Sequence, residues 1–565
     1  MNRTLLAGLA CLALAGCSGT GNRTDQLAWK DFAQASVDKY FELNPGFAVY
    51  QGAHQFDGKM SDWSAAGLKA QADFLHKLID DANAYEGLSE ADAFERDYLV
   101  QMAEGQLFWL EDADQPHHNP AFYTGAFDPN VYISREYADK PTRMKAMIDF
   151  FDKVPAAAAN IKANLQTPLA ASLIDYGVSA FDGYAEFYRD DAREAFADVD
   201  DSELQERYEE ASGKAADAMK DLADWLKEQK ADETQDFALG AERFSRMLKA
   251  TEAVDIPLDE LTRIARDDLA RNQAAAREAC GEFAPGATIE ACFLKMNSNK
   301  PANGPVAEAT AQIPDLTAFV REKDLVSIPG TEQALVRQSP PYNAQNSAYI
   351  DPPGPLEHGI PSIYYIAPPD PSWTPAMQAA YIPGKDDLLF TSVHEVMPGH
   401  FLQFLHSNRS PSLIGRLFVG YGFAEGWAHY TEEMMWDAGL GEGDPGIHIG
   451  QLSNALLRNC RFISAIGLHT GGMTLAESKD LFMQECYQDE GNAEQQAARG
   501  TYDPAYLNYT MNKLMIRKLR DDWTTSRGGR EAWKEFHDKF LSYGGPPVPL
   551  VRRAMMAEDR VRALF

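Results

Sequence analysis

The chain has 565 residues, of which 45% are hydrophobic and 24% are charged, and this balance is ordinary for a globular protein. Its formal net charge of −32 argues against nucleic acid as a partner, because phosphate binding needs clusters of lysine and arginine. A chain of this length can bury one large core or fold as two lobes.

The first 17 residues are typical of a bacterial lipoprotein signal peptide. Leu5 to Ala15 form an apolar run that is too short to span a bilayer, and Leu14-Ala15-Gly16-Cys17 resembles a lipobox. The segment predicts a mature protein that begins at a lipidated Cys17. Ser18 in the next position favours the outer membrane, with the protein facing the periplasm. The alternative is an ordinary cleaved signal with an incidental cysteine.

The rest of the chain contains no run that approaches the roughly 20 apolar residues of a membrane span. The lipid is therefore predicted to be the only membrane anchor. Residues 18–25 form a short polar linker, and residues 26–565 form the folded part.

Apolar residues recur with helical spacing along much of the folded part, which predicts a mainly α fold. The first helix has its core face on Trp29, Phe32, Ala33, Val37, Tyr40 and Phe41, and Asn44-Pro45-Gly46 ends it. Further helices are predicted at 64–113 (two helices), 142–165, 202–229, 241–253, 258–281 and 447–485 (two helices), with an irregular segment at 117–141.

Proline and glycine become frequent between residues 283 and 385, where the run Ser362–Ile366 favours a β-strand. A strand just before a metal-binding helix often lines a substrate cleft, and an extended peptide can hydrogen-bond to a strand edge. Tyr365 is therefore a candidate substrate contact. The alternative is a buried strand of a small sheet, and both interpretations can hold at once. The change in composition predicts two lobes, 26–282 and 283–565.

Two motifs carry the chemistry: His-Glu-Val-Met-Pro-Gly-His at 394–400 and Ala-Glu-Gly-Trp-Ala-His-Tyr at 424–430. Catalytic zinc takes three protein ligands and keeps a fourth position for water. His394, His400 and Glu425 are predicted to be these ligands. Glu395 is predicted to be the general base that takes a proton from the water. Iron, manganese or cobalt also suit such donors, and zinc is the metal we favour.

The spacing of the two histidines is unusual. They stand six residues apart, about 240° around a regular helix, whereas the usual spacing of four gives about 40°. Pro398 and Gly399 lie between them and predict a kink or a π-type bulge that turns His400 toward the metal. His429 follows Glu425 by one helical turn. It is predicted to hold one of the ligands in position without binding the metal itself. The alternative is that it binds the metal in place of His400.

Arg458 and Arg461 lie one helical turn apart in the helix that follows the second motif. An arginine near a cleft can bind a peptide carboxylate with two parallel hydrogen bonds. This interpretation predicts a carboxypeptidase or a dipeptidyl carboxypeptidase. The alternative for each arginine is a buried ion pair with one of the many acidic residues.

Four cysteines remain after Cys17, and an even number in an exported protein predicts two disulfides with a structural role. Three pairings are open. We favour the one between neighbours in sequence, Cys280 with Cys292 and Cys460 with Cys486.

The pattern His-Glu-x-x-Pro-Gly-His-x-x-Gln, followed by Glu-Gly-Trp-Ala-x-Tyr, resembles the bacterial family named domain of unknown function 885. That family is grouped with the gluzincin peptidases, which include thimet oligopeptidase and angiotensin-converting enzyme. The resemblance covers nearly all of the chain after the leader. It also rests on Asn44-Pro45, Gly52, Arg143, Val154-Pro155, Arg458, Arg461, Gly467, His469, Tyr509 and Leu519-Arg520. The departures from the pattern, which bear on the substrate pocket, are Ala465, Gly472-Met473 and Pro504-Ala505.

This resemblance implies a large helical zincin with a deep central cleft and a small β element near the active site. As in related zincins, a tyrosine would donate a hydrogen bond to the oxyanion of the tetrahedral intermediate. Tyr509 is the candidate, Tyr502 and Tyr506 compete with it, and His469 is a weaker candidate for the same task.

The sequence as a whole predicts a membrane-tethered, zinc-dependent peptidase that hydrolyses short peptides in the bacterial cell envelope. One rival is a zinc amidase that acts on cell-wall peptides. The other is a catalytically inactive lipoprotein that binds peptides. Glu395 beside His394 argues against the inactive form, because a binding protein needs no base, whereas the six-residue histidine spacing keeps that rival open.

Overall fold

The computed structural model describes residues 23–339, 347–369, 373–556 and 564–565. The predicted signal peptide, with Cys17, lies outside these residues, and so does most of the predicted linker. The described chain is mainly helical with one small sheet, as the sequence predicts. Among the described residues, no helix has the length and apolar character that crossing a bilayer requires.

The N-terminal helices form the first layer of the fold. Trp29, Ala33 and Val37 on α1 are buried, as their helical spacing predicts, whereas Phe32 is half-buried. Pro45 is the first residue of the next helix, because proline suits the N-terminal turn, where its missing N–H is not needed. These helices are α1 (Arg23–Leu43), α2 (Pro45–Tyr50), α3 (Ala65–Asn83) and α4 (Glu90–Leu107).

A second group of helices packs around its own apolar cluster. The longest helix of this group pairs with a 19-residue helix at 171–189 that was not among the predicted ones. Gly177 lies in that helix, where a Cβ would come within 2.9 Å of Leu226, so glycine permits the close packing although it weakens the helical signal. The group comprises α5 (Gln115–His118), α6 (Ala121–Thr124), α7 (Asn130–Ser134), α8 (Lys140–Phe151), α9 (Val154–Asn164), α10 (Ala171–Arg189), α11 (Asp191–Glu194) and α12 (Ser202–Gln229).

Most of the remaining helices surround the largest apolar cluster, which contains residues from both sides of position 282, whereas α20 packs with the N-terminal helices. The division into two lobes at that position stays a prediction. These helices are α13 (Ala241–Glu252), α14 (Leu258–Phe283), α15 (Ile289–Asn297), α16 (Pro305–Glu322), α17 (Pro375–Tyr381), α18 (Lys385–Glu395), α19 (His400–Ser407), α20 (Leu413–Leu417), α21 (Tyr421–Asp437), α22 (Pro445–Thr470), α23 (Leu475–Glu485), α24 (Glu490–Tyr502), α25 (Asn508–Thr525), α26 (Trp533–Ser542) and α27 (Val548–Met556).

The sheet has three strands in the order β1-β3-β2, namely β1 (Ala334–Gln338), β2 (Ala348–Asp351) and β3 (Ser362–Ile366). The predicted strand is β3. It pairs with β1 on one side and with β2 on the other, and all its residues are buried. The expectation that a peptide adds to the edge of this strand is therefore wrong, because both its edges are paired. Tyr365 instead stacks on Tyr349 of β2, with ring centroids 5.0 Å apart.

The four cysteines form two disulfides in the pairing that we favoured from the sequence. Cys280 near the end of α14 is bonded to Cys292 of α15. Cys460 of α22 is bonded to Cys486, just after α23. Both bonds join consecutive helices of the C-terminal helix group, away from the two metal-binding motifs in sequence.

Candidate metal centre

The two histidines lie on different helices, because the helix is interrupted between them. The sequence predicted only a kink or a bulge within one helix. α18 ends at Glu395 and α19 begins at His400. The Met397 N–H donates to the carbonyl of Ser392, five residues back, at 3.2 Å, and the Gly399 N–H donates to that of Val393 at 2.9 Å. His400 thus starts a new helix, and its ring lies 4.7 Å from that of His394, nearly perpendicular to it.

Gly399 makes this tight connection sterically feasible. A Cβ at this position would overlap the backbone carbonyl of His394. From the facing helix α21, the indole N–H of Trp427 donates to the carbonyl oxygen of Pro398 at 2.9 Å. The connection is therefore fixed both by its own backbone and by the helix that carries Glu425.

His394, His400 and Glu425 converge. Glu425 Oε2 lies 3.2 Å from His394 Nε2 and 3.4 Å from His400 Nε2. One possible ligand atom from each residue lies within 4.8 Å of the others. Two imidazole nitrogens and one carboxylate oxygen are a donor set that catalytic zinc uses, with a fourth position left open. The three residues fit a zinc ion.

A fourth residue, Glu432, holds the first histidine in place. Its Oε1 lies 2.7 Å from His394 Nδ1, which directs Nε2 toward Glu425. A carboxylate behind a metal-binding histidine fixes the ring and makes the nitrogen at the metal more basic. We did not predict Glu432 from the sequence. The available signal was its position seven residues after Glu425, two helical turns along the same face of α21.

The Glu432 carboxylate is buried beside the Arg458 guanidinium and two histidines. Burial disfavours its charge, but the Arg458 guanidinium and His429 outweigh burial, and the pKa of Glu432 is lowered. Arg458 Nη2 lies 3.3 Å from Glu432 Oε1. Arg458 therefore forms the buried ion pair that was the alternative for it, and its role as a substrate-binding residue stays a prediction.

His429 lies behind the ligands. Its Nδ1 is 3.4 Å from Glu432 Oε2, and it is fully buried. It is not part of the set of converging ligand atoms among the described residues. This position matches a supporting role more closely than that of a ligand in place of His400.

Glu395 is mostly buried and belongs to the last turn of α18. Burial raises the pKa of its carboxyl group, while the charges of His400 and His394 oppose this effect. Consecutive residues on a helix point about 100° apart, so Glu395 is adjacent to a ligand without sharing its direction. This is the arrangement expected of a base that acts beside the metal.

Tyr509 of α25 lies beside the first ligand. Its ring is 6.2 Å from the His394 ring and nearly parallel to it. The competing tyrosines point elsewhere: Tyr502 stacks on Tyr176 at 4.0 Å, and Tyr506 is fully buried. Of the three tyrosines, the structure brings Tyr509 to the metal centre.

The structure corrects the predicted role of His469. Its Nε2 lies 2.7 Å from the carbonyl oxygen of Gly500, and its Nδ1 accepts a hydrogen bond from the Leu239 N–H at 3.3 Å. Because both ring nitrogens are occupied by backbone groups in a buried position, this histidine joins segments of the fold. The prediction that it contributes to catalysis is wrong.

A cavity of about 520 Å³ opens next to the metal centre, between the N-terminal helices and the metal-binding helices. Phe404 and Tyr421 line it, and each lies one helical turn from a ligand, His400 and Glu425 respectively. The opposite wall combines aromatic side chains, including those of Tyr40, Tyr50 and Tyr98, with glutamines and prolines. The ligands themselves are not part of the lining.

Comparison with known proteins gives a family and a fold. A model of the family described as "Bacterial protein of unknown function (DUF885)" matches residues 45–555. A candidate lipoprotein of unknown function from Shewanella oneidensis is 24% identical, with a TM-score of 0.77 over 94% of this chain and 99% of the other. A candidate lipoprotein from Colwellia psychrerythraea is 16% identical, with a TM-score of 0.79 over 94% and 99% of the two chains.

A likeness to the M32 carboxypeptidase from Deinococcus radiodurans R1 is much weaker. It has a TM-score of 0.36 and 10% identity, over 88% of this chain and 96% of the other. No curated protein matches the sequence.

Proposed function

The chain belongs to the DUF885 family, and because that family is described as being of unknown function, we propose an activity from the site itself. We propose that the protein is a zinc-dependent peptidase that hydrolyses short peptides. The observation that supports this most strongly is the convergence of His394, His400 and Glu425 beside the buried carboxyl group of Glu395.

Each residue of the site has its own role in hydrolysis. A zinc ion held by the three ligands would supply a Lewis acid that polarises the peptide carbonyl and lowers the pKa of water to about 7. Glu395 accepts a proton from the attacking water and delivers it to the departing amine. Glu432 keeps the His394 ring in one orientation throughout, since its hydrogen bond to Nδ1 is buried.

Tyr509 completes the site as the donor to the developing oxyanion. Its ring lies near the His394 ring and near three arginines, Arg458, Arg461 and Arg499, whose Cζ atoms are 5.6, 4.8 and 5.9 Å from the ring centroid. Burial and the Glu425 carboxylate raise the pKa of the Tyr509 phenol, and the arginines only oppose this rise, so the phenol keeps the proton that it donates. Removing one such donor typically lowers the rate about 100- to 1,000-fold.

The cavity beside the site supports short peptides as substrates. A volume of about 520 Å³ accommodates a few residues and excludes a folded domain. The aromatic side chains in its walls favour apolar side chains of the substrate. Within this class we propose cleavage near the carboxyl end, as by a carboxypeptidase or a dipeptidyl carboxypeptidase.

The cell envelope is the proposed location. The lipobox-like Leu14-Ala15-Gly16-Cys17 supports a lipid anchor on the outer membrane, with the enzyme facing the periplasm. The two structures of the same fold are themselves described as candidate lipoproteins.

Replacement of the base separates catalysis from metal binding. Glu395→Gln should keep the zinc and lower the cleavage rate of short linear peptides about 100- to 10,000-fold, because general-base catalysis contributes that much. Glu535→Gln, at an exposed position on α26, is the matched control and should behave like the wild type. Mass spectrometry of a peptide mixture provides the rates, and elemental analysis provides the zinc content.

The same assay distinguishes the proposed peptidase from a cell-wall amidase and from an inactive peptide-binding protein. Cleavage of muropeptides without cleavage of linear peptides would identify a cell-wall amidase. A wild-type protein that binds zinc and peptides but cleaves neither substrate would be the inactive binding protein. Equal rates for Glu395→Gln and the wild type would refute the role of the base.

A further inference from the structure

Arg461 is a buried cation without an anionic partner. Its side chain is 8% exposed, and its Nε donates to Gln496 Oε1 at 2.8 Å. No carboxylate among the described residues lies within salt-bridge distance of its guanidinium. A buried charge is costly unless a counter-charge compensates it, so this arrangement is unusual for a purely structural residue.

The neighbouring arginines do not share this property. Arg458 is paired with Glu432, and Arg499 is paired with Asp503, whose Oδ2 lies 2.9 Å from Arg499 Nη2. The charge of Arg461 is further disfavoured by burial, by Arg499 and by Arg458, which together lower its pKa. A negative group placed at Arg461 would relieve both the desolvation and the repulsion.

Arg461 also lies at the right place for a substrate. Its Cζ is 4.8 Å from the centroid of the Tyr509 ring, and that ring is 6.2 Å from the ring of the ligand His394. The same tyrosine therefore contacts both the metal centre and the guanidinium. A peptide with its scissile bond at the metal can reach Arg461 with a group one or two residues away.

We infer that Arg461 is the receptor for the C-terminal carboxylate of the substrate. This inference rests on the proposed peptidase function. With Nε bonded to Gln496, the two Nη groups are left to donate to the two oxygens of a carboxylate. Such a paired, charge-assisted contact fixes the distance between the chain end and the scissile bond, and so restricts cleavage to the last or the second-last peptide bond.

Peptides that differ only at the C-terminus test this assignment. The wild-type enzyme should cleave a free-acid peptide at least about 100-fold faster, by kcat/KM, than the same peptide with a C-terminal amide. Arg461→Gln should remove the difference between the acid and the amide, because it lowers cleavage of the acid far more than cleavage of the amide. Arg461→Lys should recover part of the selectivity, because it keeps the charge without the paired geometry. Arg263→Gln, at an exposed position of α14, is the control.

A binding measurement makes the test independent of turnover. N-acetylphenylalanine should bind the wild type more tightly than its amide does, by calorimetry, and Arg461→Gln should abolish the difference. Circular dichroism verifies that each variant is folded, and Arg461→Lys provides a second variant if Arg461→Gln does not fold.

The possible outcomes separate this inference from the proposed function. Equal cleavage of acid and amide by the wild type overturns the role of Arg461 while the peptidase stands. Absence of cleavage refutes the peptidase, and calorimetry then decides on Arg461 alone. Selectivity that survives in Arg461→Gln but is lost in Arg416→Gln, a half-buried arginine that lines the cavity, also overturns the assignment.

Discussion

At the residue scale, Glu432 shows how the site depends on a group that does not touch the metal position. It is completely buried, accepts from His394 and is balanced by Arg458. The motif residues are recognisable because their types and spacing have chemical meaning. Glu432 is one of 84 acidic residues, and only the fold shows that it faces a ligand.

Replacing Glu432 should weaken metal binding without removing a ligand. Glu432→Gln is expected to lower zinc affinity about 10- to 100-fold, because the amide orients the His394 ring less firmly and leaves Arg458 without a counter-charge. Competition with a chromophoric chelator measures the affinity, and Glu535→Gln is the control at an exposed glutamate. An unchanged zinc affinity in a folded Glu432→Gln protein would contradict this role.

At the element scale, the break between α18 and α19 determines whether the two histidines meet. The sequence predicts that a regular helix fails here, since Pro398 and Gly399 interrupt it. It does not predict the form of the break, because that depends on the hydrogen bond from Trp427 on another helix. For the same reason the sequence left the central position of β3 as one of two alternatives: its partners come from segments whose pairing has no local signal.

Gly399→Ala tests the break directly. The added Cβ would overlap the His394 carbonyl, so the connection must move and carry His400 away from Glu425. Zinc content should fall well below that of the wild type, as measured by elemental analysis. In Gly281→Ala the new Cβ meets no atom within 4 Å, and this helical control should keep its zinc and gain about 0.5–1 kcal/mol of stability. Normal zinc content in Gly399→Ala would show that the close packing is dispensable.

At the scale of the whole molecule, Glu252 connects the middle of the chain to its C-terminal helices. Its carboxylate accepts hydrogen bonds from the side-chain amides of Asn508 at 2.7 Å and Asn512 at 3.3 Å. No cation among the described residues lies within salt-bridge distance of it. Burial raises its pKa to about 7, although these amides and the Gly422 N–H favour the charged form.

Stability should therefore fall with pH through the titration of Glu252. The folded-state pKa of about 7 is above the ordinary value of 4.5, so the contribution is complete below pH 4.5 and is lost as the pH rises through 7. The loss amounts to about 3 kcal/mol. Urea unfolding measures the loss of stability between pH 5 and pH 8. This loss should be smaller in Glu252→Gln than in the wild type by about this amount. An identical pH dependence in both proteins would contradict the assignment.

Much of the whole molecule was predictable because long amphipathic helices carry their own signal. The core face of α1 and the bounds of α12, α13 and α14 follow from apolar spacing and end signals. α10, with its two glycines, and α16, which begins and continues with proline, were missed because these residues weaken that signal. The mistaken role of His469 has another cause, since sequence does not reveal whether a buried polar residue is already paired.

The most direct test of the account is the metal content of the wild type, His400→Ala and His429→Ala, measured beside peptide cleavage on the same samples. The proposed ligand set predicts about one zinc per wild-type chain, loss of both zinc and cleavage in His400→Ala, and zinc that persists in His429→Ala. Zinc retained in His400→Ala and lost in His429→Ala, or no metal in the wild type, would contradict the site described here.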